Sequence, residues 1–494
     1  MTPLYSVAEI RNIEHAAAAA LPPGTLMQRA GQAAAACAME LMRGPDVLVL
    51  AGPGNNGGDA LEAAANLDQA GINVSILYLK GSAALAPEAV LALERAQASD
   101  ARFIDALPQD QEWGLVIDGL FGIGLTRPLA GAARDLAQAV NGLDCPVLAL
   151  DVPSGLDADS GAVIGPDGVA MRASCTLTFI GDKPGLHTFA GRDMAGEVLV
   201  AELGIDAALL PQASCLLNGP ELFANNLKPR AHNTHKGSFG DVAIVGGAAG
   251  MAGAPVLAAR GALYAGAGRV FVASIAPGPA FDPVQPEIMF RDAAGFDGAN
   301  CTLVLGPGMG DTASALLARA IDGPAPLVID ADALNMIASS ADLQGRLSAR
   351  PSAAILTPHP LEAARLLGMT AAVVQADRLA AARELAARFG KVVVLKGSGS
   401  IIAEPGGLAV INTTGNPGLA TGGTGDVLAG LCGALLAQGW PAREAALGAV
   451  WMHGAAADRL VEQGVGPIGM TAGELPAAVR AVLNLLTPGG QPRS

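Results

Sequence analysis

The sequence predicts an α/β fold built on parallel sheets, and three observations carry that prediction. Short runs rich in Val, Ile and Leu alternate with Ala-rich helical segments, the pattern of buried parallel strands joined by crossover helices. Hydrophobic residues make up 51% of the 494 and charged residues 15%, enough for large cores and too apolar for a disordered chain. The 64 glycines and 33 prolines exceed the usual share, as expected of many tight turns and backbone-lined loops.

In chain order, the apolar runs place strands at 46–51, 72–79, 115–118, 146–151, 175–180 and 197–201, with helices at 26–43, 59–70, 87–98 and 131–140. Residues 204–230 lose the rhythm. Pro211, Asn218-Gly219-Pro220 and Pro229 punctuate a linker there, so domains are expected over 1–215 and 220–494. The second half resumes with strands at 241–246, 269–274, 302–305, 326–330, 353–357, 392–396 and 400–403. Its helices are expected at 254–266, 312–321, 361–368, 376–389, 424–438 and 442–461. The two halves share no motif, and the tail Pro488-Gly-Gly-Gln-Pro-Arg-Ser494 is expected to be mobile.

Composition narrows the partners. A net charge of −15 without any Lys/Arg run argues against nucleic acid. The long uncharged stretches 242–259 and 405–425 are broken by Gly, Pro and Thr, unlike a membrane-spanning helix. Glu9 and Glu14 beside Arg11, and an alanine run ending at Pro22-Pro23, argue against a secretory signal. Cysteines 37, 145, 175, 215, 301 and 432 form no CxxC pair, so reduced thiols in a cytoplasmic protein are expected. A homo-oligomer is also expected.

Gly52-Pro53-Gly54-Asn55-Asn56-Gly57-Gly58-Asp59 follows a strand and opens a helix, where backbone amides and the positive helix end suit an anion. It contains GxGxxG, but Leu77-Tyr78-Leu79-Lys80 lacks the acid that a dinucleotide fingerprint wants after the next strand. A turn and helix cap built on Asn and Asp accounts for any one of these residues equally well. Two further strands end in acids, at Asp118 and at Asp151-Val-Pro-Ser154. In an open parallel sheet such loops converge on one crevice. Asn56, Asp118 and Ser154 then offer an all-oxygen set for a hard cation, and Asp151 a general acid or base. Either acid alone would read as a loop cap; three converging loops favour a site.

The motifs GPGNNGGD, DGLFGIGL and DVPSGLDAD, with Lys183-Pro184-Gly185-Leu186, resemble those of the NAD(P)H-hydrate epimerase family over most of residues 5–205. The resemblance implies a Rossmann-like domain that interconverts the R and S forms of hydrated NADH or NADPH near a bound potassium ion. It implies potassium on Asn56, Asp118 and Ser154. Substrate would lie against Asn55, Asn56, Gly57, Gly58, Asp59, Gly122, Ile123, Gly124, Leu125, Thr126, Arg127 and Pro128. Asp151 would touch the substrate and is the candidate for proton transfer. Ala60 departs from the family's usual glycine by one methyl group, from which a small local adjustment is expected.

In the second half, His235-Lys236-Gly237-Ser238-Phe239-Gly240 leads into a strand and lets backbone approach a ligand closely. His232 and His235 have no accompanying Cys or acid cluster and read as a solvated loop rather than metal ligands. In Thr357-Pro358-His359-Pro360-Leu361-Glu362, His359 either reaches a ligand or caps the following helix. Lys396-Gly397-Ser398-Gly399-Ser400 is either a hairpin turn or a nucleotide-phosphate contact. The sharpest signal is Asn416-Pro-Gly-Leu-Ala-Thr-Gly-Gly-Thr-Gly425-Asp426 before an apolar helix. Glycine amides at a helix start form an anion hole, and the acid just inside can take a proton from a substrate hydroxyl. His453 and Asp458 read as packing or capping residues.

HKGSFG, Gly306-Pro-Gly-Met-Gly310, Asp330-Ala-Asp332-Ala-Leu-Asn335, TPHPLE, LKGSGS and GNPGLATGGTGD occur in an order that resembles the ADP-dependent NAD(P)H-hydrate dehydratase family of the ribokinase-like superfamily, over residues 225–480. By that resemblance Ala254, Gly310 and His359 contact the hydrated cofactor. Lys396, Gly397, Ser398, Gly399, Ser400 and Gly425 contact the nucleotide, and Asp426 is the catalytic base. Together the resemblances imply a Rossmann-like epimerase followed by a ribokinase-like dehydratase that consumes ADP with magnesium and releases AMP and phosphate. A small-molecule kinase would share the second motif set, but the fused first half argues against it. A non-catalytic first half is opposed by the presence of Asn56, Asp118, Asp151 and Ser154 together.

Overall fold

The computed structural model describes residues 1–81, 84–108 and 110–488; residues 489–494 of the expected mobile tail lie outside them. The chain forms two compact units, one of Pro3–Cys215 and one of Met1–Thr2 with the residues from Leu216 onward.

In the first unit the strands are β1 (Asp46–Ala51), β2 (Asn73–Tyr78), β3 (Arg102–Ile104), β4 (Leu115–Gly119), β5 (Val147–Leu150), β6 (Cys175–Phe179) and β7 (Glu197–Ala201). All seven pair in parallel in the order β3-β2-β1-β4-β5-β6-β7, the Rossmann order extended by one strand. The order reverses between β1 and β4. The connections leaving those two strands therefore diverge and open a crevice at their carboxyl ends. Val47, Leu48, Val49 and Leu50 are wholly buried, which is why the central strand reads as a continuous apolar run.

Close backbone approach shapes that crevice. A Cβ on Gly52 would fall 1.7 Å from the carbonyl oxygen of Leu120, and one on Gly57 would fall 1.9 Å from that of Gly52. No larger residue fits either position. The helix expected from 59 begins at Asn55 and runs to Gln69, so Asn55–Asp59 is its first turn rather than a preceding loop. The glycines that suggested a loop are instead what lets this turn sit against β1.

Helix Val7–Ala20 was not expected, yet Ser6 and Glu9 form a full capping box at its start. Short β3 was also unforeseen, because three residues at a sheet edge, two of them exposed, carry too little periodicity.

The second unit contains β8 (Asp241–Gly246), β9 (Arg269–Ser274), β10 (Met289–Asp292), β11 (Thr302–Leu305), β12 (Leu327–Ile329), β13 (Ala354–Leu356), β14 (Val392–Leu395), β15 (Ser400–Ala403) and β16 (Ala409–Asn412). From β14 the order is β14-β13-β12-β11-β8-β9-β10, all parallel; antiparallel β15 and β16 extend the other edge. A second reversal falls between β8 and β11. Helix Thr424–Ala437 is buried along nearly its whole length. Its Gly430 meets helix Gly253–Tyr264 so closely that a Cβ would lie 1.9 Å from the Ala258 carbonyl oxygen. Helices Ala331–Ala338, Ala341–Ala349, Ala371–Ala376 and Leu475–Leu486, and strands β10 and β16, were not expected. β16 lies in the glycine-rich stretch that reads locally as loop, and its burial comes from its place in the sheet.

Gly57→Ala is expected to destabilise the first unit by about 1–3 kcal/mol through overpacking. A lowered urea midpoint for the first unit's transition, with the second unit's unchanged, is the measurement that checks it.

Two candidate active sites

The first site is a cavity of about 640 Å³ over the carboxyl ends of β1, β4 and β5. Asn55, Asn56, Asp59, Gly122, Ile123, Gly124, Leu125 and Asp151 line it, joined by Arg11 and Glu14 from helix Val7–Ala20 and Met27 from helix Thr25–Leu41. Gly57 and Gly58 do not. They are buried beneath it, and a Cβ on Gly58 would meet the Met27 Cε at 2.6 Å. Thr126, Arg127 and Pro128 are exposed and lie outside the wall, Pro128 packing against Gly165.

Asp118, at the end of β4, is completely buried. The Ser154 hydroxyl donates to its Oδ1 at 2.7 Å and the Ser154 amide to its Oδ2 at 2.8 Å, while the Leu120 amide adds a third bond at 3.2 Å. Burial raises its carboxyl to about 6, with these three hydrogen bonds pulling the other way. Asn56 is buried and neither its Oδ1 nor its Nδ2 has a partner, an unusual state for a side-chain amide. A buried amide oxygen left unsatisfied, a carboxylate and a hydroxyl are together donors of the kind a hard cation takes.

Asp151 follows β5 with φ of 66°, in the left-handed region that a non-glycine residue rarely adopts. Its Oδ2 accepts from the Ile123 amide at 3.1 Å and its Oδ1 pairs with Lys183 Nζ at 2.8 Å. A Cβ on Gly122 would come within 2.7 Å of Asp151 Oδ2 and 3.3 Å of Asn56 Cγ. These groups therefore share one corner, and only glycine leaves that corner open. Asp59 is pushed well above the usual carboxylate range by burial first, then by the charges of Asp151, Glu14 and Glu62.

The second site gathers at the carboxyl ends of β11 to β14. Lys396, just beyond β14, places Nζ 2.6 Å from Asp330 Oδ1 and 4.0 Å from Glu362 Oε2. Burial works against that ammonium charge, but Asp330 and Glu362 outweigh it and its pKa is raised. A Cβ on Gly425 would stand 3.5 Å from the same Nζ, so the lysine lies against the first turn of helix Thr424–Ala437. Asp426 occupies that turn. Its carboxyl is pushed up to about 7 by burial and by Asp330, against the pull of Lys396. Asp332 adds to the rise and also accepts the Gly310 amide at 2.8 Å, tying the Gly310 loop to this corner. Ala254 stands next to that loop, its Cβ 3.3 Å from where a Gly308 Cβ would be.

His359 forms a capping box: its Nδ1 accepts the Leu361 and Glu362 amides at 3.1 and 3.3 Å, and the Glu362 carboxylate takes the His359 amide at 2.7 Å. The helix-capping half of its two readings is thus realised. Burial and then Lys396 depress its pKa, while burial lifts Glu362 to about 7. Residues 396–399 join antiparallel β14 and β15, as a hairpin turn would. Asp458, read as packing or capping, accepts the Gly415 amide at 2.7 Å and the Asn416 side-chain amide at 2.9 Å, pinning the glycine loop. His453 Nε2 donates to the Thr424 carbonyl at 3.0 Å, and burial depresses its pKa to about 4.

Lys183, Asp330, Glu362 and Arg378 gain a role only from the structure. Asp330 carries the same signal that exposed Asp118 and Asp151, an acid at a strand's carboxyl end. Arg378 carries no local signal. It is 1% exposed and donates to the Leu395 and Lys396 carbonyls at 3.3 and 3.2 Å, bracing the turn from below.

Comparison with known proteins finds a family match within each unit. Residues 242–479 match the family described as NAD(P)H-hydrate dehydratase, and residues 23–185 the family described as YjeF-related protein N-terminus. A bifunctional NAD(P)H-hydrate repair enzyme of Coxiella burnetii is 37% identical over 98% of this chain and 100% of its own. The Escherichia coli enzyme of the same description is 37% identical over 93% and 89%. An ADP-dependent (S)-NAD(P)H-hydrate dehydratase of Neisseria meningitidis is 46% identical over 54% of this chain and 92% of its own. Among solved structures, an ADP/ATP-dependent NAD(P)H-hydrate dehydratase of Bacillus subtilis, co-crystallised with ATP and Mg2+, covers 55% of this chain and 98% of its own. It is 28% identical with a TM-score of 0.48. The chain belongs to the family of bifunctional NAD(P)H-hydrate repair enzymes.

Asp426, raised to about 7, keeps in the folded protein a proton that the unfolded chain releases near about pH 4. Its contribution therefore makes stability fall as pH rises through that window. Asp426→Asn is expected to narrow the difference in urea midpoint between pH 5 and pH 8, measured on the second unit's transition.

Proposed function

We propose that the chain repairs water-damaged nicotinamide cofactors. The first unit interconverts the R and S hydrates of NADH and NADPH. The second dehydrates the S form with ADP, releasing AMP and phosphate. The observation that carries this reading is Asp426 in the first turn of a buried helix, beside Lys396 and a glycine loop.

The chemistry follows from the substrate. Water adds to an enamine with its hydroxyl on the carbon next to nitrogen, and hydroxide is a poor leaving group. Asp426 takes the hydroxyl proton, and the freed oxygen attacks the terminal phosphorus of ADP as the bond to the AMP phosphate breaks. The ring nitrogen then expels phosphate. Loss of a proton from the neighbouring carbon restores the double bond. Backbone amides of the 415–425 loop and Lys396 face the developing charge. Magnesium bound with ADP would offset the charge of the diphosphate.

In the first unit, inversion requires the same carbon–oxygen bond to open and re-form on the other face. Asp151 is the group assigned to the proton transfers at that oxygen. Asn56, Asp118 and Ser154 would hold potassium, whose contribution is a fixed positive charge at the substrate; the unpartnered Asn56 amide supports this assignment. The reading also takes the protein as cytoplasmic, a homo-oligomer, and without a nucleic-acid partner. Six cysteines outside any disulfide and a net charge of −15 support the first and last of these.

An R/S mixture of hydrated NADPH supplied with ADP is expected to return the full absorbance of reduced nicotinamide. No recovery with either ADP or ATP would sink the proposal. Asp426→Asn should abolish recovery from both epimers, whereas Asp151→Asn should slow only the R form; equal slowing of both rejects the role given to Asp151. Epimerisation should accelerate with KCl but not LiCl, and Asn56→Leu should erase that difference. An unchanged potassium response in the variant would place the ion elsewhere.

A further inference from the structure

Lys183 is completely buried, and its ammonium is surrounded by acceptors. Besides Asp151 Oδ1 at 2.8 Å, Nζ meets Thr178 Oγ1 at 2.6 Å and the carbonyls of Phe179 and Gly181 at 3.0 and 3.1 Å. Burying an ammonium costs several kcal/mol unless it is paired and hydrogen-bonded. If closing the 178–183 turn were its only task, a neutral donor would suffice and avoid that cost.

The charge instead meets one particular carboxylate. Asp151 is held in a strained backbone conformation, with one oxygen on Lys183 and the other at the cavity corner with the Ile123 amide and Asn56. Three other acids, Glu14, Asp59 and Glu88, line the same cavity, and among the described residues only Asp151 of the four is ion-paired with a lysine. The cation thus singles out one carboxylate among four and sets its orientation from below.

We propose that Lys183 is the positioning residue of the epimerase reaction, its buried ammonium fixing the Asp151 carboxylate at the substrate hydroxyl. The inference rests on the reading of Asp151 as the proton-transfer group. Lys183 itself does not reach the cavity wall, so it acts through Asp151 rather than on the substrate.

The test uses the full chain and the purified R hydrate. Lys183→Met should lower kcat for its consumption by roughly 100-fold, the scale of a general acid or base, and leave KM within about threefold. Dehydration of the S hydrate by the same preparation should be unchanged. In an Asp151→Asn background, Lys183→Met should add less than about threefold, because a residue that acts through another has nothing left to position. Lys183→Gln keeps a donor for the two carbonyls without the charge, and should lose as much kcat as Met. It also carries the test if the Met variant loses the first unit's thermal transition. Full kcat in the Gln variant, or losses that multiply in the double variant, would overturn the proposal. If Asp151→Asn alone consumes the R hydrate normally, the reading of Asp151 has failed, and the two failures are told apart.

Discussion

Each unit depends on one ion pair at the carboxyl end of a parallel strand. Asp151 follows β5 and meets Lys183 at 2.8 Å; Asp330 follows β12 and meets Lys396 at 2.6 Å. In both, the carboxylate stands where a Rossmann-type sheet opens toward ligands, and the lysine comes from a later part of the chain. Removing one partner of such a pair strands a charge away from water, at a cost of about 3–5 kcal/mol. The loops that form each site are therefore fixed by the same interaction that sets its charge. Lys183 braces Asp151 and the turn after β6. Lys396 joins β14 to β12 and lies against the helix that carries Asp426.

Around these pairs the chain is packed through its backbone. Gly52, Gly57 and Gly430 sit where any side chain would fall on a carbonyl group. The first two bring a helix start against the sheet, and the third seats helix Thr424–Ala437 on helix Gly253–Tyr264. This resolves a tension in the composition. A protein of net charge −15 that handles nucleotides repels them through its overall charge. In the proposed reading, oriented amides, helix N-termini and a few buried lysines hold them instead, with fields little screened by salt.

Acid clustering gives the carboxyls of each site different characters. In the second unit Asp426 and Glu362 are lifted to about 7 while Lys396 keeps its charge beside Asp330. In the first, Asp59 and Glu14 are raised by burial and by the Asp151 charge, and Asp118 is raised to about 6 by burial against three hydrogen bonds. Environments that separate the proton affinities of neighbouring acids are how acid and base roles are divided near neutral pH. The helix dipole and the glycine amides then provide the positive end toward which substrate oxygen and phosphate charge can be drawn.

The sequence by itself determined the class of fold, most central strands to within a residue or two, and the loops carrying Asn56, Asp118, Asp151, Ser154 and Asp426. These signals are local: an apolar run, the acid that ends it, and the glycines before a helix. Only the tertiary structure decided what those residues face. It moved Gly57 and Gly58 from the site wall into the packing beneath, and left Thr126, Arg127 and Pro128 outside the cavity. It turned His359 into a helix cap, and it supplied Lys183, Asp330, Glu362 and Arg378. Lys396 and Asp330 are 66 residues apart in the chain, and nothing in either neighbourhood points to the other. Their meeting follows from strand order and register, which periodicity does not encode, so the partners of each site acid become visible only once the sheet is assembled.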